Sequence, residues 1–291
     1  MHLRHPTDPN ASRTVAIDVL GCAGGVATGC HTTSFLLDER TLIDCGTGVG
    51  ALSVAAMAQI DDVVLTHAHL DHLLALPLLA DVVLPSRMMA QGHGPARGAI
   101  RVHGLPHTLE ALRTHLFNGI LWPDFLRMPS EASPLLTLHP HAVGDRFAVG
   151  TGTEARTLWL LPAVHPIPAC GVAVDTADGW WVFSGDSGTN PEGHALLQNE
   201  QLAHLVIDVS FPDAQAALAE RSGHLCPQTL DATLRWVPDA VPVHLTHLKP
   251  GLEAWILDEV QALNAPHRIE PLRTGQRFEM RARDGGVPAS P

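Results

Sequence analysis

The chain has 291 residues, 45% of them hydrophobic, which is enough apolar material for one large globular domain or two small ones. Its 18 basic and 30 acidic side chains give a formal charge of −12, which favours a small substrate over a polyanion such as DNA or long RNA. We expect a cytoplasmic protein, because the sequence contains neither a secretory leader nor an apolar run long enough to span a membrane. The five cysteines form no C-x-x-C pair, which indicates reduced thiols.

Strand-like runs, from "TVAIDVLG" to "VPVHLTHL", alternate with helix-like segments along the chain. This alternation predicts an α/β fold. Pro77 is expected either in the first turn of its helix or at a kink. The turn "TADG" predicts a hairpin, and the glycine- and proline-rich segment 85–98 predicts a loop.

We predict flexible ends at 1–14 and 281–291 around a single domain at 15–280. Helices are predicted at 48–58, 71–84, 108–116, 193–203, 213–219, 227–236 and 252–263.

The stretch "VVLTHAHLDHLLALP" places candidate metal ligands directly behind an apolar strand. His67 and His69 are two residues apart in an extended segment, so their side chains project to the same side. Asp71 and His72 follow as the chain turns into a helix. Imidazole and carboxylate groups suit zinc and other divalent transition metals. One tetrahedral ion cannot use all four groups and keep an open position, which favours two ions over the alternative of a solvated surface cluster.

The motif "HAHLDH" resembles the H-x-H-x-D-H signature of the metallo-β-lactamase superfamily. The resemblance implies a four-layer αββα sandwich with two divalent ions, zinc being expected and manganese or iron left open. It also implies later ligands in "LLPAVHPIP", "VFSGDSG" and "VHLTHLKP". By the superfamily pattern, one ion is held by His67, His69 and His165, the other by Asp71, His72 and His247, and Asp186 bridges the two.

Three further stretches, "HLDHLLALPLL", "HLFNGILWPDF" and "SGHL" ahead of "THLKP", resemble the class II 3′,5′-cyclic-nucleotide phosphodiesterases. That resemblance implies hydrolysis of cAMP or cGMP to the 5′-monophosphate by a hydroxide shared between the ions. It implies that His224 protonates the leaving oxygen and that Asp208, where the family often has Glu, orients it; Asp71 is a further catalytic candidate. The candidates for stacking on the base are Phe117, Trp122 and Phe125, although packing or a dimer interface would equally explain them.

Other functions stay open at the level of sequence. A phosphodiesterase of the tRNA 3′-end processing type would share the metal ligands and the proton donor His224. The net negative charge of the chain disfavours a nucleic-acid partner, however. A lactone or thioester hydrolase would leave Asp208 and His224 without a role. A non-catalytic scaffold is disfavoured because the expected ligand set is complete. The preferred nucleotide, the metal and a homodimer are left open.

Overall fold

The computed structural model describes residues 14–88 and 97–283. The predicted flexible ends and the predicted loop at 85–98 lie mainly outside these ranges, and the single-domain organisation stays a prediction. Thr14 and Arg281, which we had placed in the flexible ends, are strand residues paired with each other. Pro85 lies inside a helix rather than in a loop.

The strands, in chain order, are β1 (Thr14–Gly21), β2 (Ser34–Leu37), β3 (Thr41–Ile43), β4 (Asp62–Leu65), β5 (Ile100–Gly104), β6 (Pro129–Ser130), β7 (Ser133–Pro134), β8 (Leu136–Pro140), β9 (Arg146–Val149), β10 (Arg156–Pro162), β11 (Cys170–Thr176), β12 (Gly179–Phe183), β13 (Leu202–Asp208), β14 (Val243–Thr246), β15 (Ile269–Pro271) and β16 (Arg277–Arg281). The α-helices are α1 (Val54–Met57), α2 (Leu70–Leu73), α3 (Ala75–Met88), α4 (Pro106–Ala111), α5 (Pro191–Leu197), α6 (Ala216–Ser222), α7 (Pro227–Leu234) and α8 (Glu253–Gln261). A π-helical turn, Leu112–Leu116, extends α4, and short 3₁₀ turns occupy Thr47–Ala51, Gly152–Glu154 and Asp213–Gln215.

Two seven-stranded sheets make up the centre of the molecule, with β6 and β7 forming a small separate hairpin. The first sheet has the order β16-β1-β2-β3-β4-β5-β8, and the second has the order β15-β14-β13-β12-β11-β10-β9. Strands β3, β4, β5 and β8 are mutually parallel, as are β12, β13, β14 and β15. Parallel strands end at the same edge of a sheet, so the loops that follow them gather there.

Three apolar clusters separate four layers of structure. In β4, Val63 and Leu65 face the helices outside the first sheet, whereas Val64 faces the second sheet. This alternation follows the two-residue period of a strand and lets one short segment contribute to two cores. Trp181 fills the layer between the sheets, and α7 and α8 cover the outer face of the second sheet. The predicted αββα sandwich is confirmed.

The helix predictions differ from the structure in continuity and at their ends: the segment predicted at 48–58 is a 3₁₀ turn followed by α1, and the one predicted at 71–84 is divided between α2 and α3. The segment predicted as a helix at 193–203 stops at Leu197, because Leu202 already begins β13. Pro77 lies in the first turn of α3, where its missing amide costs no intrahelical hydrogen bond. The "TADG" hairpin is confirmed, with Gly179 at φ 114°. None of the helices in residues 14–88 and 97–283 is long and apolar enough to cross a membrane.

Candidate metal centre

The predicted ligands lie on loops at one edge of the two sheets. The "HAHLDH" motif runs from the loop after β4 into α2, with His69 as the N-cap residue of that helix. His165 follows β10, Asp186 follows β12 and His247 follows β14. Residues far apart in sequence therefore reach one region because their strands end at the same edge. Their side chains form two compact groups of potential ligands, one of three residues and one of four.

The first group consists of three imidazoles. Nε2 of His67 lies 3.1 Å from Nδ1 of His69, and Nε2 of His165 lies 3.1 Å from the same atom. Nδ1 of His165 donates to the Gly223 carbonyl, and Nδ1 of His67 donates to the Thr66 hydroxyl. Both Nε2 atoms therefore direct a lone pair towards His69. Ligands held at about 2.0–2.1 Å around one tetrahedral ion are about 3.3 Å apart, which matches this spacing.

The second group combines two imidazoles with two carboxylates. Nε2 of His247 lies 3.2 Å from Oδ2 of Asp71 and 3.2 Å from Oδ2 of Asp186. Nε2 of His72 lies 3.3 Å from the same Asp186 oxygen, while its Nδ1 donates to Oδ2 of Asp44 at 2.7 Å. His67 also approaches Asp186, at 3.8 Å. Asp186 thus touches members of both groups, as a bridging ligand must.

The electrostatics of the two groups fit divalent cations. Burial lowers the pKa of His67 and of His165, which favours the neutral form that can coordinate a metal ion. Although burial opposes it, the carboxylates of Asp186 and Asp44 raise the pKa of His72 well above its ordinary value. Nε2 of His72 and Oδ1 of Asp186 are buried and have no hydrogen-bond partner among the described residues. Buried polar atoms without hydrogen-bond partners are costly, and a cation bound between these two atoms would remove that cost.

The sequence analysis missed Asp44, which the structure places under the centre. Its side chain is completely buried and accepts hydrogen bonds from the Thr66 amide and hydroxyl as well as from His72. Burial raises its pKa, although these donors oppose the shift. Asp44 and His247 both have positive φ angles, 58° and 62°, an uncommon conformation that concentrates at functional sites. The signal in the sequence was a polar residue ending an apolar strand in "TLIDCG".

A second hydrogen-bonded arrangement adjoins both groups. Nδ1 of His224 donates to Oδ2 of Asp208 at 2.6 Å. The His224 ring stacks on His247, with ring centroids 5.0 Å apart, and meets His165 edge-on at 5.2 Å. Burial acts to lower the pKa of His224, but Asp208 outweighs it and raises that pKa. The same carboxylate accepts from the Ser210 hydroxyl, which in turn accepts from Nδ1 of His247. Asp208 therefore positions both His224 and a candidate ligand.

The aromatic residues proposed to hold a base are placed differently from our expectation. Phe117 and Phe125 are each 1% exposed and belong to the cluster that packs under the first sheet. Their rings have no free face for stacking, so the prediction is wrong for both and the packing alternative accounts for them. Trp122 is half-buried against the same cluster, and its role stays a prediction.

Comparison with known proteins identifies the family. A model of the β-lactamase superfamily domain matches residues 39–248. The chain belongs to this superfamily. One relative of this β-lactamase superfamily chain is a protein from Yersinia pestis named probable 3′,5′-cyclic-nucleotide phosphodiesterase. The two are 23% identical over 82% of this chain and 80% of that protein. The chain is 33% identical to ribonuclease Z of Bradyrhizobium sp. strain ORS 278, over 64% of this chain and 73% of that one.

A solved structure supports the fold. Unliganded yeast PDE1 superposes on this superfamily member with a TM-score of 0.73 and 17% identity, covering 92% of this chain and 99% of that one. The predicted superfamily and its sandwich architecture are therefore confirmed.

Proposed function

We propose that this chain, a metal-dependent phosphodiesterase, hydrolyses 3′,5′-cyclic nucleotides to 5′-monophosphates. The observation that carries the proposal is the His224–Asp208 pair beside the two ligand groups. Hydrolysis of a phosphodiester expels an alkoxide, which needs a proton as the bond breaks. An imidazole whose Nδ1 is held by a carboxylate presents its Nε2 for that transfer, and no hydrogen bond among the described residues engages this Nε2.

The proposed ligands follow the two groups. His67, His69 and His165 would hold one ion, and Asp71, His72 and His247 the other, with Asp186 between them. The mixture of imidazole and carboxylate favours zinc, and manganese or iron also suits it. Two such ions, when bound, activate a water as nucleophile near neutral pH and offset the negative charge of the phosphate.

The chain's own residues would perform the remaining steps. Asp208 accepts the Nδ1 proton of His224 in a hydrogen bond. A second proton on the ring therefore lies on Nε2, and this is the proton that His224 can transfer. His224 then gives that proton to the departing 3′ oxygen. Asp44 and Ser210 keep His72 and His247 from rotating, so the site is held in its reactive geometry without rearrangement.

A small cyclic substrate agrees with the charge of the molecule. The formal charge of −12 opposes a long polyanion, whereas a cyclic nucleotide carries one negative charge. The relative from Yersinia pestis named as a probable cyclic-nucleotide phosphodiesterase aligns with most of this chain. The relative named ribonuclease Z makes RNA 3′-end processing the second candidate.

The test is turnover by the metal-reconstituted protein. We would compare 3′,5′-cAMP and 3′,5′-cGMP with bis(p-nitrophenyl) phosphate and a short pre-tRNA. Release of 5′-monophosphate that a chelator abolishes and added metal restores is the expected result. Cleavage confined to the pre-tRNA would support the second candidate, and cleavage confined to the generic diester would remove the cyclic-nucleotide assignment while retaining a phosphodiesterase.

A further inference from the structure

Lys249 is the one lysine in the sequence, since the other basic residues of the Lys and Arg count are arginines. It lies two residues after His247, at the rim of the candidate metal centre. Its side chain is half-buried and forms no ion pair with any carboxylate in residues 14–88 and 97–283. A partly buried cation without a counterion is unusual, particularly in a chain that has an excess of acidic groups.

Backbone contacts fix the position of the Lys249 ammonium. Nζ donates to the Gly24 carbonyl at 2.8 Å. Gly24 packs closely against His247: a Cβ added at Gly24 would lie 2.3 Å from the carbonyl oxygen of His247 and 2.8 Å from its Nδ1 atom. The ammonium is therefore anchored to a residue that touches a candidate ligand.

A contact with an aromatic ring places the ammonium near the proposed proton donor. Nζ lies 5.9 Å from the centroid of the Phe211 ring, and that ring meets His224 at 5.8 Å. Lys249 and His224 therefore share Phe211 as a neighbour, and the Lys249 charge acts to lower the pKa of His224. An ammonium has three N–H donors, and Gly24 accepts only one of them.

We propose that Lys249 binds the anionic oxygen of the substrate phosphate and so makes the site selective for charged phosphate esters. The inference rests on the proposed function and deepens it. The missing counterion of Lys249 is supplied by the substrate, which restores the pairing that a half-buried charge requires. Lys249 is a substrate-binding residue in this scheme, whereas His224 transfers the proton.

The experiment uses the full-length, metal-loaded protein and three variants. Lys249→Met removes the charge at nearly constant length, Lys249→Arg retains it, and Arg273→Met removes an exposed charge that has no ion pair in the described residues as a matched control. Calorimetry would measure binding of inorganic phosphate and of 5′-AMP. We expect dissociation constants about 10- to 100-fold weaker for Lys249→Met, partly restored in Lys249→Arg and unchanged in the control.

Three further readouts separate binding from a purely structural role. Bound metal and the melting temperature should stay at the wild-type values in Lys249→Met, while kcat/KM for bis(p-nitrophenyl) phosphate falls with the affinity. Equal phosphate affinity in Lys249→Met and wild type would overturn the inference, as would absence of phosphate binding by the wild type. If the wild type hydrolyses neither cyclic nucleotide yet binds phosphate through Lys249, the inference stands and the cyclic-nucleotide assignment fails.

Discussion

Asp186 occupies the point where the two ligand groups meet. One of its oxygens lies within 3.3 Å of His72 and His247, and the other is buried with no partner among the described residues. Although burial acts to raise its pKa, the neighbouring imidazoles, with His247 and His72 foremost, hold that pKa well below its ordinary value. Loss of this carboxylate would remove the charge that allows two cations to approach each other.

We therefore expect Asp186→Ala to lose bound metal and most of its turnover. Metal per chain would be measured by elemental analysis after dialysis, in parallel with kcat. Asp258→Ala, which removes an exposed carboxylate on α8, is the control and should match the wild type. Full metal content in Asp186→Ala would show that it is not a bridging ligand.

His224 gives a prediction that depends on the leaving group. His224→Ala should retain its metal but lower kcat for a cyclic nucleotide by about 10²- to 10⁴-fold, because no group protonates the departing alkoxide. Bis(p-nitrophenyl) phosphate should be much less affected, since p-nitrophenolate leaves without a proton. His107→Ala, at an exposed histidine of α4, is the control. An equal loss on both substrates would argue against proton donation.

The sequence revealed the candidate ligands of the "HAHLDH" motif because those residues are adjacent and project together from one strand end. His165, Asp186 and His247 required the superfamily resemblance, since only the fold brings them close. Asp44 could not be recognised, because its importance lies in hydrogen bonds to Thr66 and His72 that the tertiary structure creates. Phe117 and Phe125 were misassigned for a similar reason: an aromatic side chain in a polar segment carries no sign of whether its ring will be buried.

At the scale of elements, Asp62 at the start of β4 ties neighbouring segments together. Its fully buried carboxylate accepts hydrogen bonds from Arg101 and His103 on β5 and from the Gly150 amide. Burial acts to raise its pKa, but these donors outweigh it and lower the pKa to about 2 from 3.8. A carboxyl group with a depressed pKa contributes stability above its unfolded pKa and loses it as the pH falls towards the folded value.

Asp62→Asn should accordingly destabilise the protein by about 3 kcal/mol at neutral pH, because it leaves the partly buried Arg101 guanidinium without its counterion. The difference in the free energy of unfolding from the wild type should shrink as the pH falls from 4 to 2. Urea denaturation at several pH values would measure it. Asp231→Asn, which breaks the more exposed pair with Arg235 on α7, should have little effect. A difference that does not change with pH would rule out the charged network as its source.

Helices and strands were predicted correctly where the apolar pattern fitted only one of the two structures. The "TVAIDVLG" strand was found at its full length, because its apolar pattern is bounded by turn residues. The segment predicted as a helix at 193–203 was too long, since apolar residues in "LLQNEQLAHL" suit either structure over so short a span. Leu202 begins a strand because it pairs with Trp180 of β12. This pairing joins segments that are distant in sequence, so the local residue pattern cannot predict it.

On the scale of the whole molecule, the candidate ligands come from both sheets. His67 to His72 follow a strand of the first sheet, whereas His165, Asp186 and His247 follow strands of the second. Bound ions would therefore connect the two halves of the sandwich as well as provide chemistry. Binding that occurs only in the folded state raises stability, by about 4 kcal/mol at a thousandfold excess over Kd.

Removal of metal with a chelator should lower the melting temperature by several degrees, and added zinc should restore it. Differential scanning calorimetry of the treated and reconstituted protein would measure this change. Asp186→Ala should respond much less than the wild type to either treatment. A wild-type melting temperature that is indifferent to chelator and zinc would mean that the ions do not hold the sheets together.

The uniqueness of Lys249 also has a practical consequence. Amine-reactive reagents normally label a protein at many lysines, which obscures any single position. In this chain the only side-chain amine lies at the rim of the candidate metal centre, where it donates to the Gly24 carbonyl. A fluorescent or mass-tagged acylating reagent would therefore mark the site almost alone, and the rate of labelling would report directly on whether a ligand occupies it.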